Sequence, residues 1–419
     1  MTFEKLGDIA LITPGTSPKG DLINSTGLGL PFFQGSKEFK ELYPVPERYT
    51  EHPVKVANSG DVLISVRAPV GEVNFAREDC SIGRGVMSVR AKKKSEQMFI
   101  FYFLKNLQGR WDSLGSTGSV FENLSTNALN SVDLPSELNR EAIGEILFNI
   151  DIKIASNNAL SKTLEDIAQT IFKSWFIDFN PVKTKMAGEK LAGMETAIAS
   201  LFPDSMEESE LGLIPKGWRV GSLGEIADLQ GGYAFKSSSW TESGVPVIKI
   251  GSVKPGFVDL TQVSYVDAPT AEAIPDDYRI PAGSLVVGLT GYVGQVGLVR
   301  THHPVPLVNQ RVAKFKLKSG EWKIPFIYCF TRGEKFKGIV EELATGTAQQ
   351  NVSNSQILSI PMAIPNEHIR EMFDNSFKPF FQEIINLADE NESLKSTRDA
   401  LLPRLISGEL QIPEEMLAS

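Results

Sequence analysis

IPKGWRVGSLGEIADLQGG, residues 214–232, reads as the opening of a folded module, yet it stands in the middle of a 419-residue chain. Its centre, Leu223-Gly224-Glu225-Ile226-Ala227, repeats Leu6-Gly7-Asp8-Ile9-Ala10 near the N-terminus. The likeness continues in order. GDVLISVRAPVGEV (60–73) matches GSLVVGLTGYVGQV (283–296), SIGRGVMSVR (81–90) answers LVNQRVAKFK (307–316), and STGSVFENLS (116–125) answers ATGTAQQNVS (344–353). Such self-similarity marks a chain built twice, with loops absorbing the drift in spacing. Its length also exceeds what one hydrophobic core usually organises.

Both copies are strand-rich. Runs such as DVLISV (61–66), VPVIKIG (245–251) and SLVVGL (284–289) are separated at short intervals by Gly, Pro and Asn. A helical period follows each copy, from about Asn139 to Phe176 and from about Glu367 to Leu402. The first seam is Ile143, Leu147, Ile150, Ile154, Leu164, Ala168, Ile171 and Trp175. The second is Phe373, Phe377, Phe380, Ile384, Leu387, Leu394, Leu401 and Leu405, with Pro403 expected to end the regular helix. Polar residues interrupt both, at Asn157 and Ser161 and at Asn391, as where a coiled coil fixes its register. About 38 residues of helix span ~57 Å, more than a small domain's diameter, so the two stripes are expected to pair with each other. Packing of each helix on its own module alone is the competing reading.

The fold expected is α+β: a tandem repeat of two β-rich domains separated by two long antiparallel helices that form a coiled-coil spacer. Its segments are a first domain at 1–138, a long helix at 139–180, a linker at 181–210, a second domain at 211–366, and a second long helix with its tail at 367–419. The linker's mixed polarity suits a surface connection with a short helix.

With 42% hydrophobic and 22% charged residues, the composition is that of a globular protein. No apolar run approaches the roughly 20 residues of a membrane span, and MTFEKLGDIA is no signal peptide, so a cytoplasmic location without membrane contact is expected. Two cysteines, Cys80 and Cys329, are too few for a disulfide framework or a cysteine-based zinc site and read as buried thiols. The four histidines, His52, His302, His303 and His368, show no metal-ligand spacing, so no metal is expected. No P-loop, G-x-S-x-G elbow or zinc-hydrolase motif occurs. Asp178-Phe179-Asn180-Pro181-Val182 faintly resembles the Asn-Pro-Pro-aromatic loop of amino-methyltransferases, but lacks its second proline and aromatic residue and follows a helix. Helix termination is the better account of Pro181.

A net charge of −9 argues at first against nucleic acid. Its distribution argues otherwise. Residues 1–138 carry 15 basic and 16 acidic side chains and residues 211–366 carry 15 and 12, whereas 139–210 carry 7 and 12 and 367–419 carry 5 and 11. The acidity belongs to the helices and linker, which leaves the β-rich modules free to approach phosphates. Arg90 with Lys92, Lys93 and Lys94, and Lys314 with Lys316 and Lys318, are consistent with backbone contacts or with a solvated surface.

Several stretches carry a family resemblance: LFPDS (201–205), LGLIPKGW (211–218), SLGEIADLQGG (222–232), the ATG and QNVS elements within 344–353, FKSWFIDFNPV (172–182) and LLPRLISGEL (401–410). Together with the order of the repeats they make the chain resemble the specificity subunits of type I restriction-modification systems. The first repeat departs from the pattern by lacking the Ile-Pro-x-Gly-Trp lead-in. The resemblance implies a subunit without a catalytic centre, in which two target-recognition domains each read one half of a bipartite double-stranded DNA site and the helices set the gap. Half-sites about one turn, roughly 34–36 Å, apart would be in reach of domains on a ~57 Å spacer. It further implies two modification (methyltransferase) subunits that bind S-adenosylmethionine and methylate adenine N6, and restriction subunits that use ATP and magnesium, with no cofactor on this chain. Docking of those partners is expected on the outer faces of the two helices, with Phe172, Trp175 and Phe176, read as exposed aromatic residues, as candidates; core packing against the second helix is the alternative.

Base readout is expected where the repeats differ within agreeing surroundings. In the first module these positions are Thr16, Ser17, Lys19, Gln34, Lys37, Arg67, Arg84, Thr117, Gly118 and Ser119. In the second they are Tyr233, Lys236, Lys249, Thr290, Tyr292, Gln310, Arg311, Thr345, Gly346, Gln349 and Gln350. The major groove rewards Arg on guanine and Gln on adenine, while lysines more often hold phosphates. The glycines Gly118 and Gly346 serve equally as turns. Two other functions compete: an autonomous DNA-modifying enzyme, and a scaffold of tandem β modules that binds protein or carbohydrate.

Overall fold

A computed structural model describes residues 2–108, 111, 124–189, 193–317, 324–346 and 350–413. The chain is α+β and divides into two compact units, Met1–Ser156 with Glu392–Ser419, and Asn157–Asn391. The division falls inside both long helices, Arg140–Phe176 and Glu367–Ile406, so each unit owns a piece of each.

In the first unit, Ala10–Pro14, Val86–Ala91, Val62–Ser65 and Val73–Phe75 form an antiparallel sheet in that order. A second sheet orders Tyr49–Thr50, Leu30–Phe33, Cys80–Ile82 and Val56–Ala57, with a parallel pair at its centre. Val62–Ser65 is buried throughout, and its side chains alternate between two cores. Val62 and Ile64 join the helix side with Phe99, Leu147 and Leu405, while Leu63 joins Phe33, Cys80 and Ile82 between the sheets. Gly144 lets the first long helix lie against the helix Gln97–Asn106, since a Cβ there would fall 2.5 Å from the backbone nitrogen of Phe99.

The second unit repeats the plan. Ala227–Gly231, Val312–Leu317, Leu285–Gly288 and Val296–Leu298 occupy the same sheet order, extended by Gly256–Phe257. Trp240–Thr241, Ser264–Val266, Val245–Ile248 and Leu307–Val308 form the second sheet, again with a parallel pair. Leu285 and Val287 face the helix-side core and Val286 the inter-sheet core. The extra lead-in of this repeat folds as a hairpin, Met206–Ser209 with Gly212–Pro215, that has no counterpart among the described residues of the first unit.

The long helices begin on side-chain caps: Asn139 accepts from the backbone of Ala142 at 3.2 Å, and Asn366 from that of His368 at 3.0 Å. They run antiparallel within each unit. In the second, Phe172 meets Phe373 while Asn157 meets Asn391; in the first, Ile143 and Leu147 share a core with Leu402 and Leu405 while Asp151 meets Arg398. Of the polar interruptions, the asparagines find each other. Asn157 donates to Asn391 at 3.0 Å and to Glu390 at 2.8 Å, and Asn391 donates to Asn158 at 2.9 Å. Two expectations are corrected. Pro403 does not end the second helix, which continues to Ile406, because the Pro403 carbonyl still accepts from Ser407 and only its missing N–H is lost. Pro181 starts the helix Asn180–Met186 rather than ending the previous one, its fixed φ suiting the first turn after Phe179 bends into the left-handed region at φ 55°. No helix of the described residues is long and apolar enough to cross a membrane. Both cysteines are buried free thiols.

Candidate nucleic-acid interface

Each module ends in a rim where strand ends and turns converge, and the two rims are hydrogen-bonded alike. Thr16 donates its backbone N–H to Ile82 at 2.9 Å, and Tyr233 donates to Val308 at 2.8 Å. Gly83 donates to Phe33 at 2.8 Å, and Asn309 to Ile248 at 3.0 Å. Val66 donates to Gly85 and Leu289 to Arg311, both at 2.9 Å; Leu124 then donates to Val66 at 3.0 Å and Val352 to Leu289 at 2.9 Å. Gly15 and Gly232 make this closure possible, since a Cβ at either would lie 2.3 Å from a facing carbonyl oxygen, that of Gly83 or of Asn309.

These bonds set up pairs of equivalent positions: Thr16 with Tyr233, Gln34 with Lys249, Arg67 with Thr290, Arg84 with Gln310. In the first module Thr16, Arg67 and Arg84 are exposed, and Ser17 and Gln34 are half-buried. Ser17 accepts from the Arg84 backbone at 3.3 Å, and Gly85 lies against the Gln34 carbonyl. So Thr16, Ser17, Gln34, Arg67 and Arg84 come together. Lys19 is exposed on the turn before Gly20–Leu22, and Lys37 is exposed in an ion pair with Glu47 at 2.6 Å. Thr117, Gly118 and Ser119 lie outside the described residues.

In the second module Gln310 donates its backbone N–H to Tyr233 at 3.0 Å, and Gly291 donates to Gln350 at 2.8 Å. Thr290 and Thr345 both bridge to Asn351, and the Tyr292 backbone donates to Thr290 at 2.9 Å. Tyr233, Lys249, Thr290, Tyr292, Gln310, Arg311, Thr345 and Gln350 therefore share one rim, with Tyr292 61% exposed. Lys236 occupies the turn equivalent to that of Lys19. Gly346 has φ +106°, which supports its reading as a turn. Gln349 lies outside the described residues.

Side-chain bracing at the rims escapes the sequence. Arg48 donates to the Gln34 side-chain oxygen at 3.2 Å and to buried Glu38 at 3.1 Å, and its guanidinium lies 5.3 Å from the Phe32 ring centre. Lys249 Nζ lies 3.5 Å from the centre of the Trp240 ring, within a cluster of Phe235, Tyr233 and Tyr278. Burial lowers the Lys249 pKa. Arg48, Phe235, Trp240 and Tyr278 carry no local motif; only tertiary closure brings them to the rim. The basic run expected on phosphates is partly spent inside the module. Arg90 holds Asp61 through two bonds at 2.6 and 2.8 Å, and Lys92 Nζ donates to the carbonyls of Gly7 and Asp8 at 2.9 Å each. Lys316 lies 3.5 Å from Asp277, and Lys318 is outside the described residues.

A family model described as "Type I restriction modification DNA specificity domain" matches residues 1–166 and 215–392. The chain belongs to this specificity family. It is similar to the type I restriction enzyme MjaIX specificity subunit of Methanocaldococcus jannaschii, at 26% identity over 98% of this chain and 94% of that protein. It is also similar to the HindI specificity subunit of Haemophilus influenzae, at 27% identity over 70% of this chain and 71% of that protein. A crystal structure of the S subunit from M. genitalium shares the fold, with a TM-score of 0.62 at 18% identity over 97% of this chain and 96% of that one.

The three aromatic residues proposed for docking require correction. Phe172, Trp175 and Phe176 are 4%, 6% and 4% exposed and pack on Phe326, Phe373, Phe202 and Trp218 at ring distances of 4.9–6.0 Å. Each such pair contributes about 0.5–1.5 kcal/mol beyond its buried area, so they hold the second unit together. The exposed apolar residues of the first long helix in that unit are instead Leu160 and Ile167, seven apart on the outer face and 45% and 43% exposed.

Proposed function

We propose that this specificity-family chain reads a bipartite double-stranded DNA target, one half-site per module, without catalysing a reaction itself. The observation that carries this is the rim: the same backbone bonds recur in both modules while the side chains on them differ, as Arg84 against Gln310 and Arg67 against Thr290. A frame that repeats and a reading edge that does not is what two different half-sites require. The paired helices set the gap between the halves. Their register is fixed by the buried Asn157–Asn391 contact, because a one-turn slip would leave both amides unpartnered.

Modification subunits dock in a cytoplasmic complex, with Leu160 and Ile167 as apolar anchors on the first long helix. S-adenosylmethionine, ATP and magnesium belong to partner subunits, where the methylation and restriction chemistry resides. The test is co-expression with the cognate modification subunit, followed by sequencing of modified adenines. A two-part motif with a constant gap supports the reading. A single continuous motif, or unmodified DNA despite an assembled complex, contradicts it.

A further inference from the structure

Gln34 and Lys249 leave equivalent strands at the same point, for the parallel register Phe33 opposite Ile82 is that of Ile248 opposite Val308. Each is half-buried, and each is braced by its own module in a different way. Lys249 lies over the Trp240 ring at 3.5 Å; Trp240 packs on Phe235 at 5.2 Å, and Tyr233 lies 5.1 Å from Phe235 and 5.4 Å from Tyr278. Among the described residues no carboxylate pairs with Lys249, whereas the half-buried cations Arg332 and Arg398 are matched by Glu165 and Asp151. A partly desolvated ammonium with no anion beside it is favoured by an acceptor that arrives from outside.

Gln34 reaches the same outcome by another route. Its Oε1 accepts from Arg48, which buried Glu38 anchors, and this leaves the amide NH2 as the group without a partner among the described residues. Two-point pairing with adenine needs both the oxygen and the nitrogen of a glutamine, so the bracing disfavours that reading at position 34. Both positions thus offer hydrogen-bond donors. The uncharged amide at the equivalent place in the first module makes a directed hydrogen-bond donor, rather than a positive charge, the property that the two positions share.

We infer that residues 34 and 249 are one base-reading position present twice, each a braced donor for an acceptor edge in the major groove, with Lys249 taking the O6/N7 edge of a guanine in the second half-site. Arg48 and Trp240 are the positioning residues. The inference rests on the two-half-site reading above.

The test begins with the wild-type complex of this chain and its modification subunit, whose methylated motif gives the duplexes for binding measurements. Lys249→Gln should lower discrimination at a single guanine of the second half-site by roughly 5- to 150-fold while leaving the first half-site unchanged. Lys249→Arg should retain that guanine. Replacing the guanine by 7-deazaguanine, which lacks the N7 acceptor, should weaken the wild-type complex and not the Lys249→Gln complex. Trp240→Leu should blunt the same preference with Lys249 in place, and Gln34→Met should relax one position of the other half. The inference is overturned if Lys249→Gln weakens all half-site sequences alike and lowers the salt slope by about one, the signature of a phosphate contact. Unchanged base preference in a complex that binds as wild type does overturns it equally. Both results leave a bipartite wild-type motif standing; absence of that motif would instead bring down the reading beneath.

Discussion

In the first module Arg84 stands beside a glycine whose carbonyl closes the sheet onto Val66; in the second Gln310 stands beside Arg311, whose carbonyl closes it onto Leu289. The backbone bond is the same to within 0.1 Å, and the functional group it carries has changed from guanidinium to amide. At position 34 or 249 even the bracing differs, an Arg48–Glu38 pair in one module and an indole face in the other. The lesson is a division of labour within each module. Small residues and β-branched strands conserve a scaffold through duplication, while the rim is free to diverge because its side chains contribute little to the cores beneath.

The same comparison extends to how each module grips the first long helix. Tyr102 donates to Asp151 at 2.6 Å, and Tyr328 donates to Glu165 at 2.9 Å; burial and the adjoining carboxylate raise both phenols well above their ordinary range. The difference is depth. Asp151 is 5% exposed and also carries Arg398 and Lys105, whereas the Glu165 side chain is 25% exposed. Asp151→Ala should therefore destabilise the first unit by about 3–5 kcal/mol, since it takes a buried carboxylate away from Tyr102 and from the half-buried Lys105 and Arg398, leaving Arg398 with Asp399 alone. Glu165→Ala should cost the second about 1–3 kcal/mol. Calorimetric unfolding of the two variants would blur the distinction if the losses were equal.

If the frames are equivalent, Gly15→Ala and Gly232→Ala should do matching damage, about 2–3 kcal/mol each, because the new methyl meets a backbone oxygen that cannot move aside. A mild effect at one site alone, read from chemical denaturation, would show that the closures are not the same. At the helix pair, Asn157→Leu should cost about 1–2 kcal/mol by leaving the Asn391 amide short of a partner, and adding Asn391→Leu should recover most of it. A double variant weaker than either single one would mean that these amides do more than fix register.

The smallest effect compares the two cysteines. Burial, then nearby Asp61, pushes Cys80 up to about 12, and burial holds Cys329 well above its ordinary value. Neither thiol should be alkylated in the folded chain at pH 8, and both should react after unfolding, as intact mass would show. Because the folded chain keeps its Cys80 proton after the unfolded chain has lost it, stability should decline as pH rises from about 9 toward 12.

Much of this design was legible in the sequence. The repeat could be aligned residue by residue, and the alignment of 60–73 with 283–296 is the register in which Ser65 faces Val86 and Gly288 faces Val312. Most of the seams and their asparagines were legible too, because helical period is a local property, although the second helix buries Phe381 and Leu402 more deeply than the expected Phe380 and Leu401. What stayed hidden depends on distant partners. Phe172, Trp175 and Phe176 form an apolar stripe, but only the fold reveals that Phe326 and Phe373 cover it. Arg48 and Trp240 became rim residues only once the strands carrying Gln34 and Lys249 had closed against them.

Paired rim substitutions test the central claim most directly. With the modification subunit co-expressed, methylated adenines would be mapped for Arg84→Ala and for Gln310→Ala. The account predicts that each variant relaxes one half of the motif, a different half for each, with the gap unchanged. If both substitutions altered the same half, or both halves together, two modules reading two half-sites would be the wrong description of this molecule.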